Sequence, residues 1–451
     1  MEKLALKEKI GYGLGDTASN LTFRTIMVFL TYYYTDVYGI NPATVGTIFL
    51  VTRLWDAVND VMMGAIADRT NTRWGKFRPW ILWTALPFGV LTSVTFMAPD
   101  LSPTGRVIYA LVTYNLLMMV YTASNVPYSA LSGVMTSDSL ERTSLSSYRF
   151  MGAFLGGLLV QGLNLPLVNY FGQGDELKGY QYTITLFAAM AAVLLVVTFL
   201  TTKERVQPPP GQKTPVRKDL ADLVRNRPWL ITFAAGVFFV GASVLRQGVT
   251  VHYFKWYIGD KELATLFMVL GLLAAMAGAA LTHYLTGLLG KKGLFLTALF
   301  VTVVCSSLLY LATPSSRLLL YALNIMIEFA NGPMPVLFFA MLADTADYSE
   351  WRNGRRSTGM IFSAGTFAIK TGVMISGTAT GWLLAGFGYE AGAAAQSASS
   401  LWGIRFLMTV LPAILMVGAA VAVSIYPLND RIVAEIGHEL ASRREEESEV
   451  A

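Results

Sequence analysis

Residues 52–80 read TRLWDAVNDVMMGAIADRTNTRWGKFRPW. The stretch starts inside an apolar run, places Arg53, Asp56 and Asp60 within it, and ends in a burst of basic residues. A charge at the centre of a bilayer costs roughly 2.5–3.5 kcal/mol on insertion scales, so each needs a partner or a watery cavity. The spacing i, i+3, i+7 puts all three on one helix face, with Asn59 beside them. Two carboxylates and an amide oxygen on one face are hard ligands for a small monovalent cation, so Asp56 and Asp60 are the candidate metal ligands in that sense only. The pair can instead share a proton, because the first charge opposes the second. A salt bridge from Arg53 to Asp56 is the structural alternative.

The surrounding chain makes a membrane protein the only consistent setting. Of 451 residues, 54% are hydrophobic and 14% charged; soluble proteins carry about 25% charged residues. About twelve runs are long enough to span as helices, near 10–34, 43–67, 79–98, 105–131, 149–172, 179–201, 229–257, 263–289, 293–312, 317–343, 359–388 and 402–426. They are continuous rather than alternating, which argues against a β-barrel. The expected fold class is therefore all-α, with twelve transmembrane helices. Residues 1–202 and 229–428 form two six-helix halves, joined by a proline-rich linker at 203–228 and followed by a tail at 429–451.

Lysine and arginine set the orientation. The linker, Arg69, Arg73, Lys76, Arg78, Arg142, Lys291, Lys292, Arg352, Arg355 and Arg356 fall on one side with both termini. The opposite loops hold Arg106, Lys178, Lys255, Lys261, Arg317 and Arg405. Both termini are thus expected to be cytoplasmic, in a cell inner membrane. The N-terminus lacks a signal-peptide pattern, so the first apolar run is expected to target the chain and remain in it. The net charge of +5 reflects these loops, not nucleic-acid binding. RWGKFRPW after the second run and LLGKKGLF after the eighth form a weak echo, as duplicated transporter halves do.

Other ionisable groups within spans are few. Asp16, Asn20 and Arg24 lie at i, i+4, i+8, either as a cavity stripe suited to a polyhydroxylated ligand or as a hydrogen-bonded helix seam. Thr122 and Asn125 flank the kink-forming Pro127, and Arg149 opens the fifth run, where it can snorkel or serve a site. Arg246, Glu328 and Lys370 complete the set with His252, and neither Arg246 nor Glu328 has a partner nearby in sequence. The tyrosine-rich TYYYTDVYG and the HYFKWY stretch read as interfacial aromatic belts. With one cysteine, Cys305, and three scattered histidines, the chain has no nucleophile or metal constellation for an intramembrane enzyme.

At YYYTDVYG, RLWDAVNDVMMGAIADRTNTRWGKFRPW, NVPYSAL, ADTADYSEW and FAIKTG the chain resembles the glycoside-pentoside-hexuronide:cation symporters of the major facilitator superfamily. The resemblance covers nearly the whole length. It implies that Asp56, Asn59, Asp60 and Thr122 bind the coupling cation, with Lys370 close by, and that Arg149 serves the sugar. Asn20 and Asn125 stand where melibiose-type members carry aspartates, and Ser129 and Pro335 where they carry tryptophans, which puts galactoside specificity in doubt. Val61 and Thr358 depart from the family's usual proline and glutamate.

Loss of two acids beside Arg24 and Arg246 hints at an anionic sugar such as a glucuronide or uronide. Asp16 and Thr366 join the candidate substrate set. Asp68, Arg69, Arg73 and Lys76 form the cytoplasmic gating motif. The expected function is cation-coupled sugar or glycoside symport by alternating access. The expected partners are a small-molecule sugar, Na+ or H+, and the lipid bilayer, without a cofactor, by a monomer. Proton-coupled uptake of a neutral glycoside and a non-transporting sugar sensor are the rivals.

Overall fold

The 52–80 stretch folds as a helix with two unlike faces. In α2 (Pro42–Arg69), Asn41 caps the first turn by accepting from the Ala43 N–H, and Pro42 needs no donor there. Leu54, Trp55, Val58, Met62 and Ile66 are exposed, whereas Arg53, Asp56 and Met63 are buried. The apolar stripe suits lipid, and the opposite stripe turns the ionisable groups into protein.

The computed structural model describes residues 4–136, 139–205, 223, 225–353 and 358–450. It is helical, and among these residues the sole β feature is an isolated bridge between Thr72 and Gly75. Most of the expected linker, 206–222 with 224, lies outside the described residues. In chain order, α1 is Leu6–Thr25, α3 is Arg78–Thr95, α4 is Pro103–Met135, α5 is Ser139–Gly172 and α6 is Glu176–Thr201. α7 is Arg227–His252, and a single run, Leu263–Leu311, breaks at Gly290 (φ 71°, ψ 165°) into α8 (263–289) and α9 (291–311). α10 is Arg317–Asn331 continued by Pro333–Asn353, and α11 is Thr358–Gly386. α12 is Ala398–Met408 continued by Val410–Ser424, and α13 is the tail helix Asp430–Val450.

Seven described segments are long and apolar enough to cross a membrane by length and composition, one of them the joined α8–α9 run. α1 and α2 fall outside that set; they carry Asp16, Arg24, Arg53, Asp56 and Asp60.

By contacts the chain forms two units. The first comprises Met1–Gly211, Gln247–Val269 and Gly377–Ile404. Within it α1 packs on α5 and α6, α3 on α4 and α6, and α2 on α4. The α1–α5 contact is a small-residue seam. A Cβ on Gly152 would stand 2.0 Å from the Gly13 carbonyl oxygen, and one on Gly156 2.8 Å from that of Thr17. Without side chains at these points, the backbones approach closely and gain dispersion contacts where lipid offers no hydrophobic drive. The second unit comprises Gln212–Arg246, Leu270–Ser376 and Arg405–Ala451. Its core includes Trp229, Phe239, Phe295, Leu299, Met334, Phe338, Met341 and Met416.

Helix termini explain the echo between the halves. Gly75 (φ 110°) and Gly290 (φ 71°) both adopt a left-handed backbone that other residues resist. Against Gly75 lies Glu204, just beyond α6, accepting from the N–H groups of Lys76, Phe77 and Arg78 at 2.9, 2.8 and 2.9 Å. Against Gly290 lies Asp430, just beyond α12, accepting from the Lys291 N–H at 3.2 Å. Each acid satisfies orphan donors at a helix start and meets its positive end. Glu204→Ala is expected to cost about 1–3 kcal/mol and Asp430→Ala less, because three donors are stranded in one case and one in the other. Thermal unfolding of the detergent-purified variants ranks them. An equal or larger loss for Asp430→Ala contradicts this account.

The aromatic clusters are not belts. Tyr32, Tyr33, Tyr34 and Tyr253 are fully buried. Tyr33 packs on Phe96 with centroids 4.9 Å apart and donates to the Phe96 carbonyl at 2.7 Å. Both clusters lie where the helix loosens into π-wound turns, Tyr33–Val37 at the end of α1 and Tyr253–Ile258 at the end of α7.

Candidate functional site

Asp56 and Asp60, one turn apart on α2, both reach the same atom. Thr122 Oγ1 on α4 stands 2.9 Å from Asp56 Oδ1 and 3.2 Å from Asp60 Oδ1. A hydroxyl has one proton to donate, so it satisfies one carboxylate at a time. Three oxygens thus converge with two formal negative charges, an arrangement whose repulsion a bound monovalent cation or proton relieves. Asp56 is buried and Asp60 half-buried, which grades the site from closed to reachable.

Arg53 Nη1 is 3.7 Å from Asp56 Oδ2, so the anticipated salt bridge exists in a long form and leaves Oδ1 to Thr122. Asn59 turns away from this point and donates to the Met119 carbonyl at 3.4 Å. Asn115 ties the same two helices by donating to Thr52 Oγ1 at 2.9 Å.

A second cluster joins α1, α4 and α5. Arg149 Nε lies 3.4 Å from Asp16 Oδ1, and its Nη2 donates to Ser129 Oγ at 3.1 Å. The guanidinium sits 5.3 Å over the Tyr128 ring, which stacks on Tyr12 with centroids 4.7 Å apart. Asn20 donates to the Asp16 carbonyl at 3.0 Å and approaches its carboxylate at 3.5 Å. Arg149 therefore does not snorkel. It closes a polar cluster against an aromatic floor, where planar donors and acceptors can meet the hydroxyls of a sugar. Arg24, two turns further along α1, donates to Gln247 at 3.4 Å, and Asn125 is half-buried on α4.

In the second unit, Arg246 and Glu328 turn out to be partners. Arg246 Nη1 donates to Glu328 Oε1 at 2.6 Å and Nη2 to Asn324 Oδ1 at 2.6 Å. Lys370 is half-buried and Thr366 exposed on α11, in the same unit. Asp56 with Asp60 and Thr122, and Asp16 with Asn20 and Arg149, thus form two groups in the first unit, and Arg246 with Glu328 and Asn324 one in the second.

In the expected gating motif, Arg73 stacks on Trp74 at 4.7 Å, the Lys76 backbone is held by Glu204, and Arg69 is exposed. The side chains of Val61, Asp68 and Thr358 lie outside the described residues. Sequence reasoning missed Glu204, Asp430, Asn324 and the Tyr12–Tyr128 floor. The matching Gly-Lys motifs were a usable signal for the two acids, each just past the sixth helix of its half.

Residues 11–430 match the family described as MFS/sugar transport protein. Over 452 aligned residues the chain is 41% identical to YagG of Escherichia coli (strain K12), named as a glycoside/cation symporter, with 100% of this chain and 98% of that protein covered. It is 34% identical to the isoprimeverose transporter of Lactiplantibacillus pentosus, covering 98% and 93% of the two chains. Among solved structures, a bacterial homolog to the human lysosomal transporter Spinster, inward-facing and unoccupied, superposes with a TM-score of 0.67 at 14% identity, covering 95% and 97%. That likeness shows a shared transporter fold.

Proposed function

The chain belongs to the MFS/sugar transport protein family, a membrane transporter rather than an enzyme, and on that premise we propose that it couples inward movement of a monovalent cation to uptake of a glycoside. The observation that carries the proposal is the convergence of Asp56, Asp60 and the Thr122 hydroxyl on one point. Binding of Na+ or H+ there removes the repulsion between the carboxylates and settles α2 against α4. Asp16 and Arg149 on the neighbouring α1 and α5 then offer sugar hydroxyls one acceptor and one donor set. If the cation tightens sugar binding by some factor, sugar tightens cation binding equally, and that reciprocity is what couples the two in alternating access.

A neutral glycoside fits better than the anionic sugar hinted at by the two lost acids and the arginines Arg24 and Arg246. Of the two arginines behind that hint, Arg246 is matched by Glu328 and Asn324, as Arg149 is by Asp16, whereas Arg24 donates to the neutral amide of Gln247. A guanidinium already held by a carboxylate has little net charge left for another. The names of two relatives, a glycoside/cation symporter and an isoprimeverose transporter, support a glycoside as the substrate. An inner-membrane location with both termini cytoplasmic agrees with the distribution of basic residues.

Uptake into right-side-out vesicles tests the proposal. Radiolabelled xyloside, galactoside and glucuronide are each supplied with a sodium gradient at fixed pH, then with a pH gradient without sodium. The expected result is accumulation of the xyloside above that of the glucuronide, under one of the two gradients. Accumulation under the sodium gradient makes the aspartate pair a sodium site, and under the pH gradient a proton site. Sugar binding without accumulation under either gradient identifies a sensor and overturns the transport reading.

A further inference from the structure

Away from the cation cluster, at the end of the first unit where α1 finishes, one carboxylate gathers segments distant in sequence. Asp36 lies in the π-wound Tyr33–Val37 turn, and its side chain is fully buried. Its Oδ1 accepts from Lys255 Nζ at 2.9 Å and from Trp256 Nε1 at 3.2 Å. Its Oδ2 accepts from the Tyr389 hydroxyl at 2.5 Å and from Thr35 Oγ1 at 2.8 Å, with His252 Nε2 at 3.4 Å. Lys255 and Trp256 belong to the π-wound end of α7, and Tyr389 follows α11. A second tie lies alongside: Glu176 at the start of α6 takes Lys261 Nζ at 2.5 Å and the Tyr32 hydroxyl at 2.9 Å.

The chemistry of this junction differs from that of the α1–α5 seam. There, glycine backbones interlock at van der Waals distance and Thr17 donates to the Gly152 carbonyl at 3.0 Å, so close packing holds the contact as one piece. Around Asp36 the carboxylate itself is held by hydrogen bonds and ion pairs, beside edge-on ring contacts of His252 with Tyr32 and Tyr389. A fully buried anion is tolerable only while its partners are in place. Once they withdraw, water must reach it, and water can supply bonds of comparable quality. Such a tie has two stable conditions, closed and dry or open and hydrated, and little between them.

Building on the symporter reading, we infer that Asp36 is the hub of an outer gate, holding the ends of α1, α7 and α11 together while sugar cannot enter from outside. Opening requires its bonds to Lys255, Trp256, Tyr389 and His252 to break together. The looser hydrogen bonding of the two π-wound ends lets the turns that carry Asp36 and Lys255 move without unwinding the helices behind them.

The test is a distance measurement between nitroxides on Lys178→Cys and Glu390→Cys in a Cys305→Ala background, by pulsed electron paramagnetic resonance on the full chain in nanodiscs. Both labelled positions are exposed, Lys178 two residues from Glu176 and Glu390 next to Tyr389. Asp36→Asn is expected to add a longer-distance population, raising the ratio of open to closed at least about tenfold. Lys255→Gln, which removes one arm, is expected to move the ratio in the same direction by less. Wild-type distances in both folded variants overturn the proposal. Should Asp36→Asn fail to fold, unchanged distances in Lys255→Gln overturn it alone. The readout needs neither sugar nor gradient. A gate that opens in the variants of a chain that accumulates no sugar refutes the symporter reading and leaves the latch standing.

Discussion

Asp60→Asn is expected to abolish gradient-driven accumulation, bringing the internal-to-external sugar ratio to unity while the protein stays folded. Asp60 is half-buried and stands 3.2 Å from the Thr122 hydroxyl on α4. The amide keeps the shape and removes one of two negative charges. Cation affinity depends steeply on the count of charged ligands, so a loss of about a hundredfold or more follows. The amide oxygen remains as a weak ligand, but carboxylate repulsion, the source of the driving force, is gone.

Calorimetric titration of sugar with and without the cation checks the point independently of transport. In the wild type the cation tightens sugar binding, and in Asp60→Asn that factor falls to one. A variant that keeps cation-dependent sugar affinity removes Asp60 from the cation site. Asp56→Asn is the less clean experiment. Asp56 is buried beside Arg53, so its neutralisation disturbs a buried charge as well as the site.

The second large effect concerns stability. Glu328→Ala leaves the buried Arg246 guanidinium with Asn324 but without its counter-charge. Breaking a buried pair from one side costs about 3–5 kcal/mol. The Glu328 side chain is 29% exposed, which lets water soften the loss toward the lower figure. Replacing both partners, as Arg246→Met with Glu328→Leu, is expected to recover most of it, since no charge is then stranded. Thermal unfolding in detergent, comparing Arg246→Met and Glu328→Leu made singly with the double, measures the coupling. Additive losses sink the idea that the pair acts as a unit. The same series bears on substrate choice: Glu328→Gln releases the arginine's charge, so glucuronide uptake relative to xyloside is expected to rise.

Much of this molecule is decided within single helices, and there local pattern suffices. Long apolar runs require helices in a bilayer, because no water remains to satisfy an exposed backbone. On α2, spacing alone places Arg53, Asp56 and Asp60 on one face, and in the structure that face is buried or half-buried while Leu54, Val58, Met62 and Ile66 are exposed. The Asp16–Asn20 stripe and the two Gly-Lys turns were legible for the same reason, since their geometry depends on neighbours within a few residues.

What the tertiary structure decided is partnership. Arg246 and Glu328 are 82 residues apart, Asp36 and Tyr389 are 353 apart, and Asp16 and Arg149 are 133 apart. Helical periodicity gives the direction of a side chain and says nothing about which helix stands opposite, so a lone buried charge in sequence looks unpaired until packing supplies its mate. The tyrosines of YYYTDVYG show the same limit: an amphipathic ring at a helix end belongs equally to a lipid interface or to a buried junction. Here the ring-on-ring packing around Tyr33 and the polar ties around Asp36 put them in the junction.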